Sequence, residues 1–115
     1  MMIKIYRENY EHLPKRFINK IESDLDYLVK ADIPGLKGVY LFGSCARGNI
    51  RNGSDIDLLI FTEQKLEEDI RWTLDDEISG ISTDVVYANK ESIKENTIFK
   101  RILNRDKKLI LEVIK

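Results

Sequence analysis

Two short apolar runs bracket a stretch of glycine, hydroxyl and carboxylate residues, and this arrangement limits how the chain can fold. Val39-Tyr40-Leu41-Phe42 reads as a buried strand and runs directly into Gly43-Ser44-Cys45-Ala46-Arg47-Gly48. The turn residues Arg51-Asn52-Gly53-Ser54 follow, then Asp55-Ile56-Asp57 and a second apolar run, Leu58-Leu59-Ile60-Phe61. In a strand, residues i and i+2 point to the same side, about 7 Å apart. Asp55 and Asp57 therefore share a face while Ile56 points into the core. The apolar run behind them anchors both carboxylates on a rigid element.

Each part of the segment has chemistry that suits a nucleoside triphosphate held by divalent metal. Gly43 allows a sharp turn and a close approach of phosphate to the backbone. Ser44 is expected to cap the short helix that Cys45-Ala46-Arg47 begins. Its hydroxyl and the N–H groups at that helix start would form an anion site. Arg47 would bind phosphate, hold an acidic neighbour, or form a surface salt bridge of little energetic weight. Mg²⁺ takes hard oxygen ligands, commonly carboxylates together with substrate phosphates. Two such ions about 4 Å apart can activate an attacking hydroxyl and stabilise the leaving oxygen. A third carboxylate completes such a site, and Asp84 is the candidate. It is a single acid in the β-branched run Ile81-Ser82-Thr83-Asp84-Val85-Val86-Tyr87. We expect it to be buried there, so that a metal partner resolves the cost of its charge. The bland alternative is an edge-strand acid facing water.

Gly-Ser, ten intervening residues, Asp-x-Asp and a lone Asp on a later strand resemble the nucleotidyltransferases of the DNA polymerase β superfamily. In so short a chain, Gly-Ser-x-Ala-Arg-Gly followed by Ser-Asp-Ile-Asp-Leu is similar to the minimal nucleotidyltransferases. The resemblance covers roughly residues 15–105, without departure at the Gly-Ser, Asp-x-Asp or third-Asp positions. It implies an α/β (α+β) palm-like fold with Asp55, Asp57 and Asp84 as catalytic, metal-binding residues. Gly43, Ser44 and Arg47 would bind nucleotide. Two Mg²⁺ ions, replaceable by Mn²⁺, would serve transfer of AMP from ATP to a hydroxyl. The resemblance also implies an antitoxin whose acceptor is a tyrosine on a HEPN-domain toxin. Two rivals remain open: a non-catalytic capping module, and a transferase of small molecules such as an aminoglycoside.

The remaining sequence narrows the classes. The 115 residues suffice for one core, so a single domain over 1–115 is expected. Net charge is −1, which gives no global basic field, and direct nucleic-acid binding is not expected. No stretch is long and apolar enough to span a membrane, and no signal-peptide core is visible, so a cytoplasmic protein is expected. Homo-oligomerisation stays open. Cys45 is the sole cysteine, so no zinc framework or internal disulfide is available, and its place at a helix start does not make it reactive. His12 is the sole histidine and is expected at the surface. Asp24-Leu25-Asp26 repeats the Asp-x-Asp pattern, but in a helical stretch, where i and i+2 diverge. It receives no metal role.

Periodicity gives the coarse organisation. Residues 1–6 read as a short β-prone arm. A helix from Pro14 to about Lys30 carries the stripe Phe17, Ile21, Leu25 and Leu28. Strands are expected at about 37–42, 55–61 and 82–88. Helices are expected at about 63–79, with Leu66, Ile70, Leu74 and Ile78 inward and Gly80 as its stop, and at 91–104, with Ile98, Phe99, Ile102 and Leu103 inward. Residues 109–114 are ambiguous between strand and helix, leaning to strand. Acids dominate from Glu63 to Glu77, while bases dominate from Phe99 to Lys115. Such runs usually form solvated faces. Gly43 ends the first strand and Asp55 begins the second, so their proximity requires antiparallel pairing. Asp84 lies near the start of the third strand, which makes the second and third parallel, joined by a right-handed helical crossover. The expected product is a mixed three-stranded sheet in the order 1-2-3, backed by helices.

Overall fold

The computed structural model describes residues 2–48, 50, 55–66, 80–89, 91 and 107–114. Its elements are β1 (Met2–Ile5), a 3-10 turn (Arg7–Asn9), α1 (Lys15–Ala31), β2 (Leu36–Phe42), α2 (Gly43–Arg47), β3 (Ile56–Thr62), β4 (Thr83–Ala88) and β5 (Lys108–Ile114). They form a five-stranded sheet in the order β1-β5-β2-β3-β4. The three strands expected from sequence sit next to one another in the expected order. β2 runs antiparallel to β3, and β3 runs parallel to β4.

The expectation of three strands is corrected to five. β5 pairs antiparallel with β2, and β1 pairs antiparallel with β5. The ambiguous C-terminal segment is thus a strand, and the N-terminal arm is its partner. Local pattern cannot show this, because Met2 meets Ile114 across nearly the whole chain.

Alternation on the strands divides the sheet into two faces. Val39 and Leu41 of β2 and Ile56, Leu58 and Ile60 of β3 are buried on one face with Phe17, Ile21, Leu25 and Leu28 of α1. Burying each such side chain contributes roughly 1.5–3 kcal/mol, so this layer dominates the core. The α1 stripe is as expected, but the buried side of α1 also carries Lys20 and Asp24. On the other face, Tyr40, Phe42, Leu59, Phe61, Val86 and Ala88 form a second, smaller apolar cluster. Pro14 precedes the first residue of α1, and Asp32 ends the helix in the left-handed conformation, φ 51°.

Two expected helices fall mostly outside the described residues. Residues 63–66 are not helical: Glu63 and Gln64 form a bend after β3, and the Thr62 hydroxyl donates to the Gln64 carbonyl at 2.7 Å. Leu66 is buried as expected. Residues 67–79, with Ile70, Leu74 and Ile78, lie outside the described set, as do 92–106 with Ile98, Phe99, Ile102 and Leu103. Gly80 has φ +75°, in keeping with a chain stop. Glu91 is helical, and its N–H donates to Asn89 Oδ1 at 3.0 Å. Among the described residues no helix is long and apolar enough to cross a membrane.

Candidate active site

The site residues gather at one end of the central strand pair. Phe42, the last residue of β2, lies opposite Asp57 on β3. Asp57 lies opposite Asp84 on β4. Alternation puts Asp57 with Leu59 and Phe61, and Asp84 with Val86 and Ala88, on the sheet face opposite α1. Ile56, between the two acids of the Asp-x-Asp pair, is fully buried on the α1 side, as its spacing requires.

Gly43 makes the sharp turn out of β2. Its φ is +72°, and a Cβ placed on it would overlap Asp57 Oδ2 and stand 3.2 Å from Asp57 Cγ. The Asp57 carboxylate thus occupies the space that a side chain at position 43 would fill. Ser44 is half-buried as the second residue of α2, with Phe42 as the residue before the helix. The expectation that Ser44 caps α2 is corrected: the turn forms one residue earlier, because only glycine takes this φ at little cost. Gly48 ends α2 with φ +74°.

Electrostatics tie the acids together. Burial, then the neighbouring Asp84 and Asp55 carboxylates, push the Asp57 carboxyl above the usual aspartate range, and Arg47 opposes them. Arg47 is itself exposed. Asp55 is exposed, and its Oδ1 accepts a hydrogen bond of 2.9 Å from Ser82 Oγ. Asp84 is exposed on edge strand β4, which corrects the expectation of a buried charge. An edge strand leaves its outer side to solvent, so the apolar sequence around Asp84 does not imply burial. What sets Asp84 apart is its register opposite Asp57. Among the described residues, no three carboxylate, thiol or imidazole groups are gathered closely enough to enclose an ion. The donor set is nevertheless three hard oxygen acids beside a glycine turn, which suits Mg²⁺ or Mn²⁺.

Cys45 is fully buried in α2, and its Sγ donates to the Asp55 carbonyl at 3.6 Å. Burial, then Asp57 and Asp55, push its thiol up to about 11, which disfavours the reactive thiolate form. His12 is exposed, as expected. Sequence reading missed two supporting groups. One is Ser82, which holds Asp55. The other is a buried set under the sheet: Lys20 Nζ donates to Asp24 Oδ1 at 2.6 Å, and Thr83 Oγ1 donates to Asp24 Oδ2 at 2.5 Å. The signal was available, because Lys20 and Asp24 fall at i and i+4 within the apolar stripe of α1.

Comparison with known proteins places this geometry. Residues 29–112 match the polymerase beta, nucleotidyltransferase family. Spectinomycin 9-adenylyltransferase of Campylobacter jejuni is 31% identical over 90 residues, which are 78% of this chain and 33% of that protein. Protein adenylyltransferase MntA of Shewanella oneidensis is 34% identical over 65 residues, 56% of this chain and 47% of that protein. The chain therefore spans less than half the length of these curated relatives. A crystal structure of a toxin–antitoxin with AMP-PNP matches 79% of this chain and 69% of its own, at 26% identity and a TM-score of 0.55. The chain belongs to the polymerase beta nucleotidyltransferase family.

Proposed function

We propose that this chain transfers AMP from ATP to a hydroxyl of a HEPN-domain toxin partner, with Asp55, Asp57 and Asp84 as its metal-binding acids. The observation that carries this reading is the placement of Asp84 opposite Asp57 on parallel strands, with the Gly43 turn packed against the Asp57 carboxylate. Bound Mg²⁺ or Mn²⁺ would supply neutralisation of triphosphate charge and activation of the acceptor hydroxyl. Asp55 and Asp57 would hold both ions, and Asp84 would complete the one nearer the acceptor. Ser44 and the N–H groups after Gly43 would hold triphosphate oxygens. Arg47 would bind phosphate or keep Asp57 ionised.

In the transfer step the acceptor oxygen forms a bond to the α-phosphorus. The bond from that phosphorus to the bridging α–β oxygen breaks, and pyrophosphate leaves. Asp84, exposed at the strand edge, takes the hydroxyl proton. Support for ATP and for a toxin partner comes from the similarity to MntA, a protein adenylyltransferase, and to the toxin–antitoxin structure with AMP-PNP.

The test is incubation with α-labelled ATP and Mg²⁺, alone and with a HEPN protein encoded beside this chain. Label should appear on the partner and depend on Asp55 and Asp84. Neutralisation of the partner without label, equally good in Asp55→Ala and Asp84→Ala, would make this a capping antitoxin. The spectinomycin 9-adenylyltransferase similarity favours one rival, transfer to a small molecule. Label on an aminocyclitol but not on protein would decide for it.

A further inference from the structure

Lys20, Asp24 and Thr83 are buried polar groups in a largely apolar layer between α1 and the sheet. Asp24 accepts from Lys20 Nζ on one oxygen and from Thr83 Oγ1 on the other. Such a set adds little net stability, because desolvation offsets most of the attraction, and replacement by apolar side chains is often neutral or better. Its best-attested use is to fix registry.

Registry is what β4 needs. Among the described residues it is an edge strand, paired on one side with β3. Moving β4 along β3 by two residues leaves every side chain on its own face, so hydrophobic pattern alone resists such a slip weakly. A slip of that kind would put Ser82 or Val86 opposite Asp57 in place of Asp84. It would also bring Ile81 or Val85 to Asp24 in place of Thr83, and neither side chain can donate a hydrogen bond. A buried carboxylate oxygen would then lose a donor, at substantial cost. Thr83 precedes Asp84 directly, so the hydroxyl that meets Asp24 under the sheet sets the register of the acid above it.

We propose that Asp24, braced by Lys20, is a positioning residue for the metal-binding acids, acting through Thr83 to hold Asp84 opposite Asp57. The proposal rests on the reading of Asp57 and Asp84 given above.

The test uses the whole chain, with Mn²⁺ and an ATP analogue carrying a methylene bridge between its α and β phosphates. Mn²⁺ affinity is read by electron paramagnetic resonance, and stability by melting temperature. Thr83→Val keeps the shape and removes the hydroxyl. It should weaken Mn²⁺ binding by roughly ten- to a hundredfold, the usual effect of losing a group that orients a metal ligand. Thr83→Ser keeps the hydroxyl and should bind Mn²⁺ like wild type. The combined variant K20M/D24L/T83V should melt no lower than wild type and still bind Mn²⁺ weakly, a pattern that a merely structural role cannot give. Wild-type Mn²⁺ affinity in Thr83→Val or in the combined variant overturns the proposal, as does a loss that only tracks the fraction unfolded. Asp84→Asn is measured in parallel. If it too binds Mn²⁺ like wild type, the reading of the acids fails; if it alone is impaired, only the positioning role fails.

Discussion

The Asp57 carboxylate fills the space beside Gly43 that a Cβ would occupy, so the two residues cannot both carry side chains there. Gly43→Ala meets two penalties at once. The φ of +72° costs an L-residue about 1–2 kcal/mol, and the new methyl group must push Asp57 aside. Gly48 is a natural control: its φ is +74°, but among the described residues nothing lies within 4 Å of a Cβ placed on it. We expect both alanine variants to lower the urea midpoint. Gly43→Ala alone should also lose Mn²⁺ binding. Equal Mn²⁺ binding in the two variants would mean that the close approach to Asp57 has no role in the site.

Asp57 also makes stability depend on pH and metal. Its carboxyl titrates above the ordinary aspartate range, through burial first and then Asp84 and Asp55. The folded state thus holds this proton more tightly than the unfolded state does. The stabilising contribution is full below the ordinary aspartate range and is lost as pH rises through the elevated value. At neutral pH the ionised group is a liability to the metal-free fold. Asp57→Asn should therefore melt higher than wild type in chelator at neutral pH, and the gap should close on acidification. Mn²⁺ with ATP should raise the wild-type melting temperature and leave the variant nearly unmoved. A metal-free variant that melts lower than wild type at neutral pH would contradict the direction of this shift.

The central strands and the strand positions of the candidate acids were legible because each signal there is local. Val39 to Phe42 and Leu58 to Phe61 are continuous apolar runs, and the i, i+2 spacing of Asp55 and Asp57 assigns their face without tertiary knowledge. Antiparallel β2–β3 and parallel β3–β4 followed from bringing Gly43, Asp55 and Asp84 together. The outer strands were legible only as β-prone segments, and their pairing was not, because β1 and β5 find each other only in the folded sheet. For Asp84 the sequence left burial and an exposed edge position both open, and the apolar run around it favoured the wrong one: Asp84 is exposed although Val85, Val86 and Tyr87 pack against the apolar clusters. Asp24 was set aside as a copy of the Asp-x-Asp pattern. It does lie in helix α1, as expected. Its burial was not legible: Asp24 lies under the sheet, where Lys20 and Thr83 donate to its carboxylate.

Cys45 tests the electrostatics of the site without any ligand. Its side chain is inaccessible, and the thiol is pushed up to about 11 by burial and the two acids. Since the thiolate is the reactive form, iodoacetamide at neutral pH should modify the folded protein far more slowly than a free cysteine. Modification should reach the ordinary rate in urea, along the unfolding curve measured by circular dichroism. Rapid labelling of the folded chain would show that α2 opens away from Asp55 and Asp57.

Ser44 separates phosphate binding from helix structure. It lies inside α2 and not at the position before it, so removing its hydroxyl deletes no cap. Ser44→Ala should therefore leave the melting temperature of the nucleotide-free protein close to wild type, since alanine is well suited to a helix. If the hydroxyl donates to a triphosphate oxygen, its loss removes one charge-assisted hydrogen bond, worth about 1.5–3 kcal/mol. ATP affinity measured by calorimetry with Mn²⁺ should fall by roughly ten- to more than a hundredfold, at 1.4 kcal/mol per tenfold. Mn²⁺ binding without nucleotide should stay near wild type if Ser44 serves phosphate and not metal. Unchanged ATP affinity would remove Ser44 from the nucleotide site and leave the backbone after Gly43 to hold the triphosphate alone. A fall in metal binding without nucleotide would instead show that the residue acts through Asp57, whose carboxylate lies against the same turn.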